Sequence, residues 1–298
     1  MKKIKIALLG GDKRLAVLAD FLCEKGFYVE CYGIDTVHLS DRVVEAESVG
    51  KAISDSSVVV LPLPMSGDGV HISCPLMKNG DAPEIKDILE KSKGRLIYGG
   101  RLSPQIKKLA ETAGVEIVDY FDLEELKIRN SVLASEGAMS IAMNRLDRAV
   151  FGSKSAVIGY GRLGKTLAPM LKALGSRVTV AARKSTDIAW AAAYGFDTLR
   201  IGYEGGATSL KKLADGYDVI FNTAPYWLID DTVLKVLQKN TIIVDLASAP
   251  GGVDPAAAER YGIEVIPALS LPGKYAPVSA GELIGEYLFE MISKELNL

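Results

Sequence analysis

Histidine is almost missing from this chain of 298 residues, which has only His38 and His71. Neither stands in a metal-ligand spacing, so no metal site is expected. Acid–base chemistry built on histidine has little to draw on, with His71, in a long loop, as the one outside candidate. Cysteine is nearly as scarce. Cys23, Cys31 and Cys74 form no C-x-x-C pair, and an odd, scattered set suits a reducing cytosol better than a disulfide framework. No apolar run approaches the ~18 residues of a membrane span. The net charge of −2 offers nothing to nucleic acid or an acidic membrane. The start, MKKIKIALLGGDKR, is too short and too charged for a secretory leader and reads as a first strand, so a cytoplasmic protein is expected. No Ser-His-Asp or Cys-His set is present.

What the chain does contain is strand–turn–helix rhythm. Its centre is VIGYGRLGKT. A short strand from Ser155 to Ile158 runs into Gly159, Tyr160, Gly161, Arg162, Leu163 and Gly164, and Leu163, Leu167, Leu171 and Leu174 then recur with helical spacing. That is the dinucleotide fingerprint G-x-G-x-x-G. Its first glycine allows a tight turn, its second lets backbone approach a pyrophosphate, and its third lets helix pack on strand. Pro169 is a local misfit, costing up to ~3 kcal/mol or a bend inside a helix.

Before that motif, strands are expected at Ile4 to Leu9, Tyr28 to Tyr32, Ser57 to Leu61, Arg95 to Tyr98 and Val115 to Val118. Helices alternate with them, one on Leu15, Leu18 and Leu22 and stopped by Gly26, another capped by Ser103 with Pro104 and closed by Gly114. After it come Arg177 to Ala181, Asp218 to Asn222, Thr241 to Asp245 and Ile263 to Ile266, with a loop over Gly202, Tyr203, Glu204, Gly205 and Gly206. Two open, doubly wound parallel α/β domains follow from the alternation. The expected division is a flavodoxin-like substrate domain over 1–130, a connector helix over 131–150, a Rossmann domain over 151–276 and a terminal helix over 277–298. Met139, Met143, Leu146 and Val150 mark the connector. Ser279 and Glu282 read as a capping box, and the apolar stripe behind them must pack back on the connector or the first domain.

Ligands in such sheets bind beyond the carboxyl ends of strands. In the second domain those ends supply Thr223, Pro225, Ala247 and Ser248 beside the nicotinamide. The second Rossmann strand ends in Ala181-Ala182-Arg183-Lys184-Ser185 without the carboxylate that takes a ribose 2′-hydroxyl. Arg183, Lys184 and Ser185 suit a 2′-phosphate, which favours NADP over NAD. In the first domain the ends are Gly10 to Arg14, Pro62 to Gly69, and Gly99-Gly100-Arg101. Arg14 and Arg101 could each grip a carboxylate in two places. Asn130, Ser131 and Glu136 are expected at the start of the connector, facing a cleft, where Glu136 could be a general acid or base or a helix-start residue favoured by the dipole.

Together these blocks resemble the family of the dehydrogenase-like, A-type subunit of dipicolinate synthase from spore-forming bacteria. The likeness covers nearly the whole chain and rests on GGDKR (10–14), NSVLASEGA (130–138), GYGRLG (159–164), AARKS (181–185), NTAP (222–225), DLASAPGG (245–252) and LPGKYAPVSAGE (271–282). DLASAPGG alone is also similar to the cofactor loop of alanine dehydrogenases and transhydrogenases. The resemblance implies oxidation of a dihydrodipicolinate-type ring, or its 4-hydroxytetrahydro precursor, to dipicolinate, with hydride passing to NADP or NAD. It implies a flavoprotein-like partner, the B-type subunit of the synthase, and a role in spore formation in the mother-cell cytoplasm. A cyclic dicarboxylate would need two cationic clamps, for which Arg14 and Arg101 are available beside Gly100, Asn130 and Ser131, and a base, for which Glu136 and Asp12 are candidates. A homo-oligomer is expected. Two other functions fit the residues: a related 2-hydroxy or 2-amino acid dehydrogenase, and a non-catalytic nucleotide-binding regulatory subunit.

Overall fold

The computed structural model describes residues 4–202 and 210–298. Tyr203, Glu204, Gly205 and Gly206 of the expected loop lie outside them. The chain divides into two units, residues 1–130 with 276–298, and residues 131–275.

The first unit holds a six-stranded parallel sheet: β1 (Lys5–Leu9), β2 (Tyr28–Tyr32), β3 (Val44–Glu45), β4 (Val58–Val60), β5 (Leu96–Gly99) and β6 (Val118–Asp119). Its order is β3-β2-β1-β4-β5-β6. Helices α1 (Lys13–Glu24), α2 (Val49–Ile53), α3 (Ile85–Lys91) and α4 (Pro104–Ala113) flank it. Central strands are buried on both faces, so β4 reads Val-Val-Val with no polar alternation. Ser103 caps α4, with Pro104 in its first turn and Gly114 left-handed beyond its end. Two expectations need adjusting. The strand expected over Val115 to Val118 begins only at Val118. The exposed pair Val44 and Glu45 adds an edge strand that its two residues hardly signal. Without β3 the order renumbers to 2-1-3-4-5, that of flavodoxin-like sheets. With it the sheet has the 3-2-1-4-5-6 order of dinucleotide-binding folds.

Helix α5 (Glu124–Arg145) starts earlier and ends sooner than the connector expected over 131–150. Glu124 and Glu125 fill its first turn, where carboxylates suit the dipole. The unit boundary falls within it, after Asn130. Asn130, Ser131 and Glu136 are therefore interior helical residues rather than its beginning.

The second unit repeats the plan with β7 (Lys154–Ile158), β8 (Arg177–Ala182), β9 (Asp197–Arg200), β10 (Val219–Asn222), β11 (Ile242–Asp245) and β12 (Glu264–Pro267), ordered β12-β11-β10-β7-β8-β9. The edge strand β9 was not foreseen, because only Leu199 of its four residues is buried. Its helices are α6 (Arg162–Ala173), α7 (Ser185–Ala193), α8 (Asp231–Leu234), α9 (Pro255–Tyr261) and α10 (Leu271–Tyr275). Pro169 sits on the exposed face of α6, where the Lys165 carbonyl that it leaves without an N–H can turn to water.

The last helix, α11 (Pro277–Leu296), starts at a proline, with Ala276 before it and no side-chain cap. The Ser279–Glu282 capping box does not form, because both residues already lie inside the helix. Leu283, Ile284, Leu288 and Ile292 are buried, each contributing about 1.5–3 kcal/mol. The helix packs on α1 of the first unit. Gly281 and Gly285 permit the approach: a Cβ at 281 would lie 2.6 Å from the Arg14 carbonyl oxygen, and one at 285 would lie 2.5 Å from the Phe21 ring. Glu286 also pairs with Arg129 of α5, whose guanidinium lies 5.8 Å from the Tyr287 ring centroid.

Candidate functional site

The turn after β7 assigns each glycine a separate physical task. Gly159 has φ +96°, and a Cβ there would strike Thr223 Oγ1 at 2.3 Å. A Cβ on Gly164 would lie 2.2 Å from the Gly159 carbonyl oxygen, so only glycine lets α6 sit this close to the turn. Gly161 differs. A Cβ there would meet nothing within 4 Å, and Gly161 makes no side-chain cap for α6. The N-terminus of α6 thus carries no side-chain cap and has room beside Gly161, the arrangement an anionic pyrophosphate requires. These residues fit a dinucleotide. Arg162 and Leu163 form the first turn of α6.

The neighbouring strand ends are tied to this turn. Thr223 donates its hydroxyl to the Ile158 carbonyl at 2.9 Å. Asn222 and Asp245 end the adjacent strands β10 and β11 in register, with the Asn222 amide on the Asp245 carboxylate at 2.8 Å. That carboxylate also accepts from the Ala247 and Gly252 N–H groups, each at 3.2 Å. A Cβ on Gly252 would overlap the Asn222 amide at 2.0 Å. The DLASAPGG segment is therefore folded around Asp245. Asn222 and Asp245, absent from the expected site residues, organise the loop that carries Ala247 and Ser248. Their signal was polarity at the ends of two otherwise apolar strands. Ala247 is buried, while Ser248 and Pro225 are exposed.

At the end of β8, Arg183 and Lys184 are exposed and Ser185 opens α7. No carboxylate stands among Ala181, Ala182, Arg183, Lys184 and Ser185. The Arg183 guanidinium lies 5.0 Å from the ring centroid of Tyr226, which follows Pro225.

Helix α5 packs on α6 through hydroxyls. Ser135 donates to the Ser131 carbonyl at 2.9 Å and lies 2.8 Å from Thr166 Oγ1. Both serines are buried. A Cβ on Gly137 would press on Leu271 of α10 at 2.9 Å. The NSVLASEGA, GRLGKT and LPGKY blocks thus meet in one packing arrangement. Glu136 points away from it: it is exposed, with no hydrogen bond or ion pair among the described residues.

In the first unit the turn after β1 is closed by its own chain. Gly11 donates to the Ser73 carbonyl at 2.8 Å. A Cβ on Gly10 would meet Cys74 Sγ at 2.6 Å. Burial pushes the Cys74 thiol up to about 11, opposed by its contact with the Gly11 N–H. Asp12 caps α1 through the Arg14 N–H at 3.0 Å, and its carboxylate is gripped by Arg14 Nε and Nη2 at 3.0 and 2.8 Å. Arg14 is 5% exposed and also donates to the Leu63 carbonyl. The structure therefore brings Asp12 and Arg14 together as an ion pair. Gly100 is packed against Tyr120 and Leu63, and its carbonyl accepts from Met65 at 2.8 Å. Arg101 has φ +58°, held by its N–H on Asp119 Oδ1 at 2.9 Å. Its guanidinium is exposed and takes no partner among the described residues. Left-handed backbone at a bulky residue is stored strain and draws attention to this strand end. Asn130 is half-buried.

His71, in the loop after β4, holds Asp68 through Nδ1 at 2.8 Å. That bond raises the imidazole above its ordinary value and keeps the Asp68 carboxyl well below the usual carboxylate range. Among the described residues no group of three or more His, Cys, Asp or Glu side chains could hold a metal, and no helix is long and apolar enough to cross a membrane.

Fold and site define a dehydrogenase-like protein with a Rossmann domain for a nicotinamide dinucleotide. Residues 129–257 match the family described as D-isomer specific 2-hydroxyacid dehydrogenase, NAD binding domain. Residues 5–121 match the family described as the N-terminal domain of the A-type subunit of dipicolinate synthase. The N-terminal part is thus similar to that domain, and the likeness to the A-type subunit runs the length of the chain. The Bacillus subtilis (strain 168) dipicolinate synthase A-type subunit is 29% identical over 98% of this chain and 96% of its own. The crystal structure of the corresponding subunit from Bacillus halodurans superposes with a TM-score of 0.88 at 25% identity, covering 97% of this chain and 98% of that one. A Sinorhizobium meliloti transhydrogenase, 17% identical with a TM-score of 0.70 over 98% of this chain and 94% of its own, shares the fold.

Proposed function

We propose that this chain oxidises a dihydrodipicolinate-type ring, or its 4-hydroxytetrahydro precursor, to dipicolinate. NADP is the acceptor, and the partner is the flavoprotein-like, B-type subunit of the synthase in a sporulating cell. The observation that carries the reading is the open turn at Gly161, set in a chain similar throughout to the A-type subunit of dipicolinate synthase. The lack of a carboxylate after β8, with Arg183, Lys184 and Ser185 in its place, supports NADP over NAD.

When bound, the nicotinamide accepts the hydride. The chain's own residues do the rest. Gly159, Gly161 and Gly164, with the α6 N–H groups at Arg162 and Leu163, hold the pyrophosphate. Ala247 and Ser248 line the nicotinamide end on a loop stiffened by Asp245, and Thr223 and Pro225 line the cofactor on the loop after β10. Arg101 takes one ring carboxylate, and Arg14, already aligned by Asp12, offers its remaining nitrogen to the other. Gly100, Asn130 and Ser131 complete the substrate contacts. Aromatisation releases one proton for each hydride, and the hydrated precursor must also lose water. Glu136 removes the proton, whereas Asp12, engaged by Arg14, serves as its orienter. Hydride transfer requires ring carbon and nicotinamide within about 3–3.5 Å.

Absorbance at 340 nm with NADP and the 4-hydroxytetrahydro precursor, with and without the flavoprotein-like partner, tests this. Reduction is expected, and Glu136→Gln should lower turnover about 10²-fold or more at unchanged thermal stability. No reduction under either condition, with a 2-hydroxy or 2-amino acid oxidised instead, would overturn the substrate. Full turnover in folded Glu136→Gln would remove Glu136.

A further inference from the structure

Strand β7 lies between β8 and β10 in the second sheet. Neighbouring strands are about 4.8 Å apart, so the ends of β8 and β10 stand about 10 Å apart with the glycine turn after β7 between them. Arg183 leaves the end of β8, and Tyr226 follows the end of β10. The two side chains nevertheless meet, with Arg183 Cζ 5.0 Å from the Tyr226 ring centroid. Their contact reaches across the line of β7, whose glycine turn follows the strand between them. Tyr226 is 55% exposed, so its ring is not there to fill the core. A cation held over a tyrosine face is confined in direction.

We propose that Tyr226 is a positioning residue for the adenosine end of the cofactor. Its ring holds the Arg183 guanidinium across the mouth of the glycine turn, toward the 2′-phosphate that distinguishes NADP from NAD. This rests on the dinucleotide reading above and assigns selectivity to a residue outside the fingerprint. Lys184 and Ser185, on the following turn, retain their own share of the phosphate.

Calorimetric titration of NADP and NAD into the full chain separates the possibilities. The wild type should prefer NADP. Tyr226→Ala should weaken NADP by about two- to five-fold, the worth of an exposed cation–π contact, and leave NAD within experimental scatter. Tyr226→Phe, which keeps the aromatic face, should behave as wild type. In an Arg183→Ala background, Tyr226→Ala should change nothing further. Equal weakening of both cofactors, an unchanged preference in Tyr226→Ala, or full additivity with Arg183→Ala would overturn the proposal. A wild type that binds both cofactors without preference would overturn it too. A wild type that binds neither brings down the dinucleotide reading itself, a distinct result.

Discussion

The chain builds the same turn twice and keeps only one of them open. GGDKR and GYGRLG both follow the first strand of a parallel sheet with the 3-2-1-4-5-6 order, and both lead into the first helix. In the second unit the helix N-terminus has no side-chain cap and the middle glycine faces free space. In the first unit the equivalent N–H groups are already spent. Asp12 takes the Arg14 N–H, Ser73 takes the Gly11 N–H, and Cys74 lies against Gly10. A glycine pair at a strand end therefore has two opposite uses. It can admit a ligand, or it can admit the protein's own loop. The difference lies in whether the anion that a helix N-terminus attracts is a ligand's phosphate or the chain's own carboxylate.

The strongest way to break this comparison is to remove the internal anion. Asp12→Ala deletes a helix cap worth about 1 kcal/mol and charged hydrogen bonds worth about 1.5–3 kcal/mol, leaving Arg14 buried without its carboxylate. A stability loss of about 2.5–4 kcal/mol is expected in chemical denaturation, and a loss below about 0.5 kcal/mol would mean that the turn is not closed by Asp12. Next in size is Gly10→Ala. The new methyl meets Cys74 Sγ and Ser73 O at a left-handed φ, which should cost about 1–3 kcal/mol while leaving dinucleotide affinity unchanged. Gly161→Ala should do the reverse. Its methyl meets no atom of the described residues within 4 Å, so thermal stability should hold, while NADP affinity falls about tenfold or more as the methyl enters the pyrophosphate's space. If Gly161→Ala lost stability instead, the two turns would not differ as described.

The smallest effect concerns the loop that follows β4, Asp68 with His71. A raised imidazole lends stability below its unfolded value near 6.5, and that contribution fades as pH rises through the folded value. The lowered Asp68 carboxyl works oppositely, lending stability above 3.8 and losing it as pH falls. Asp68→Asn should return the His71 titration, followed by NMR, toward 6.5. An unchanged midpoint would assign the shift to Glu84 and Asp81 instead.

Much of the fold was legible because local pattern and fold agreed. Buried strands such as Val58 to Val60 and Tyr28 to Tyr32 announce themselves by unbroken or alternating apolar runs, and Ser103, Pro104 and Gly114 bound α4 as their chemistry requires. Two of the edge strands, β3 and β9, were not legible. Val44–Glu45 and Asp197–Arg200 bury almost nothing, so no period marks them. The start of α5 was hidden because Asn130 and Ser131 carry cap chemistry, yet Ser131 is turned to the Thr166 hydroxyl within a helix already two turns old. The capping box at Ser279 was likewise outranked by Pro277.

What the sequence determined by itself is the two parallel α/β sheets, the dinucleotide turn and the absence of a carboxylate after β8. Those depend on periodicity and on which residue follows which, and both are local. Tertiary structure alone decided which glycine turn stays open, that Asp12 and Arg14 are partners, that Asn222 and Asp245 hold the DLASAPGG loop, and that Arg183 leans on Tyr226. All but the Asp12–Arg14 pair join residues from different strand ends, and a chain read in order carries no record of which ends the sheet will set side by side.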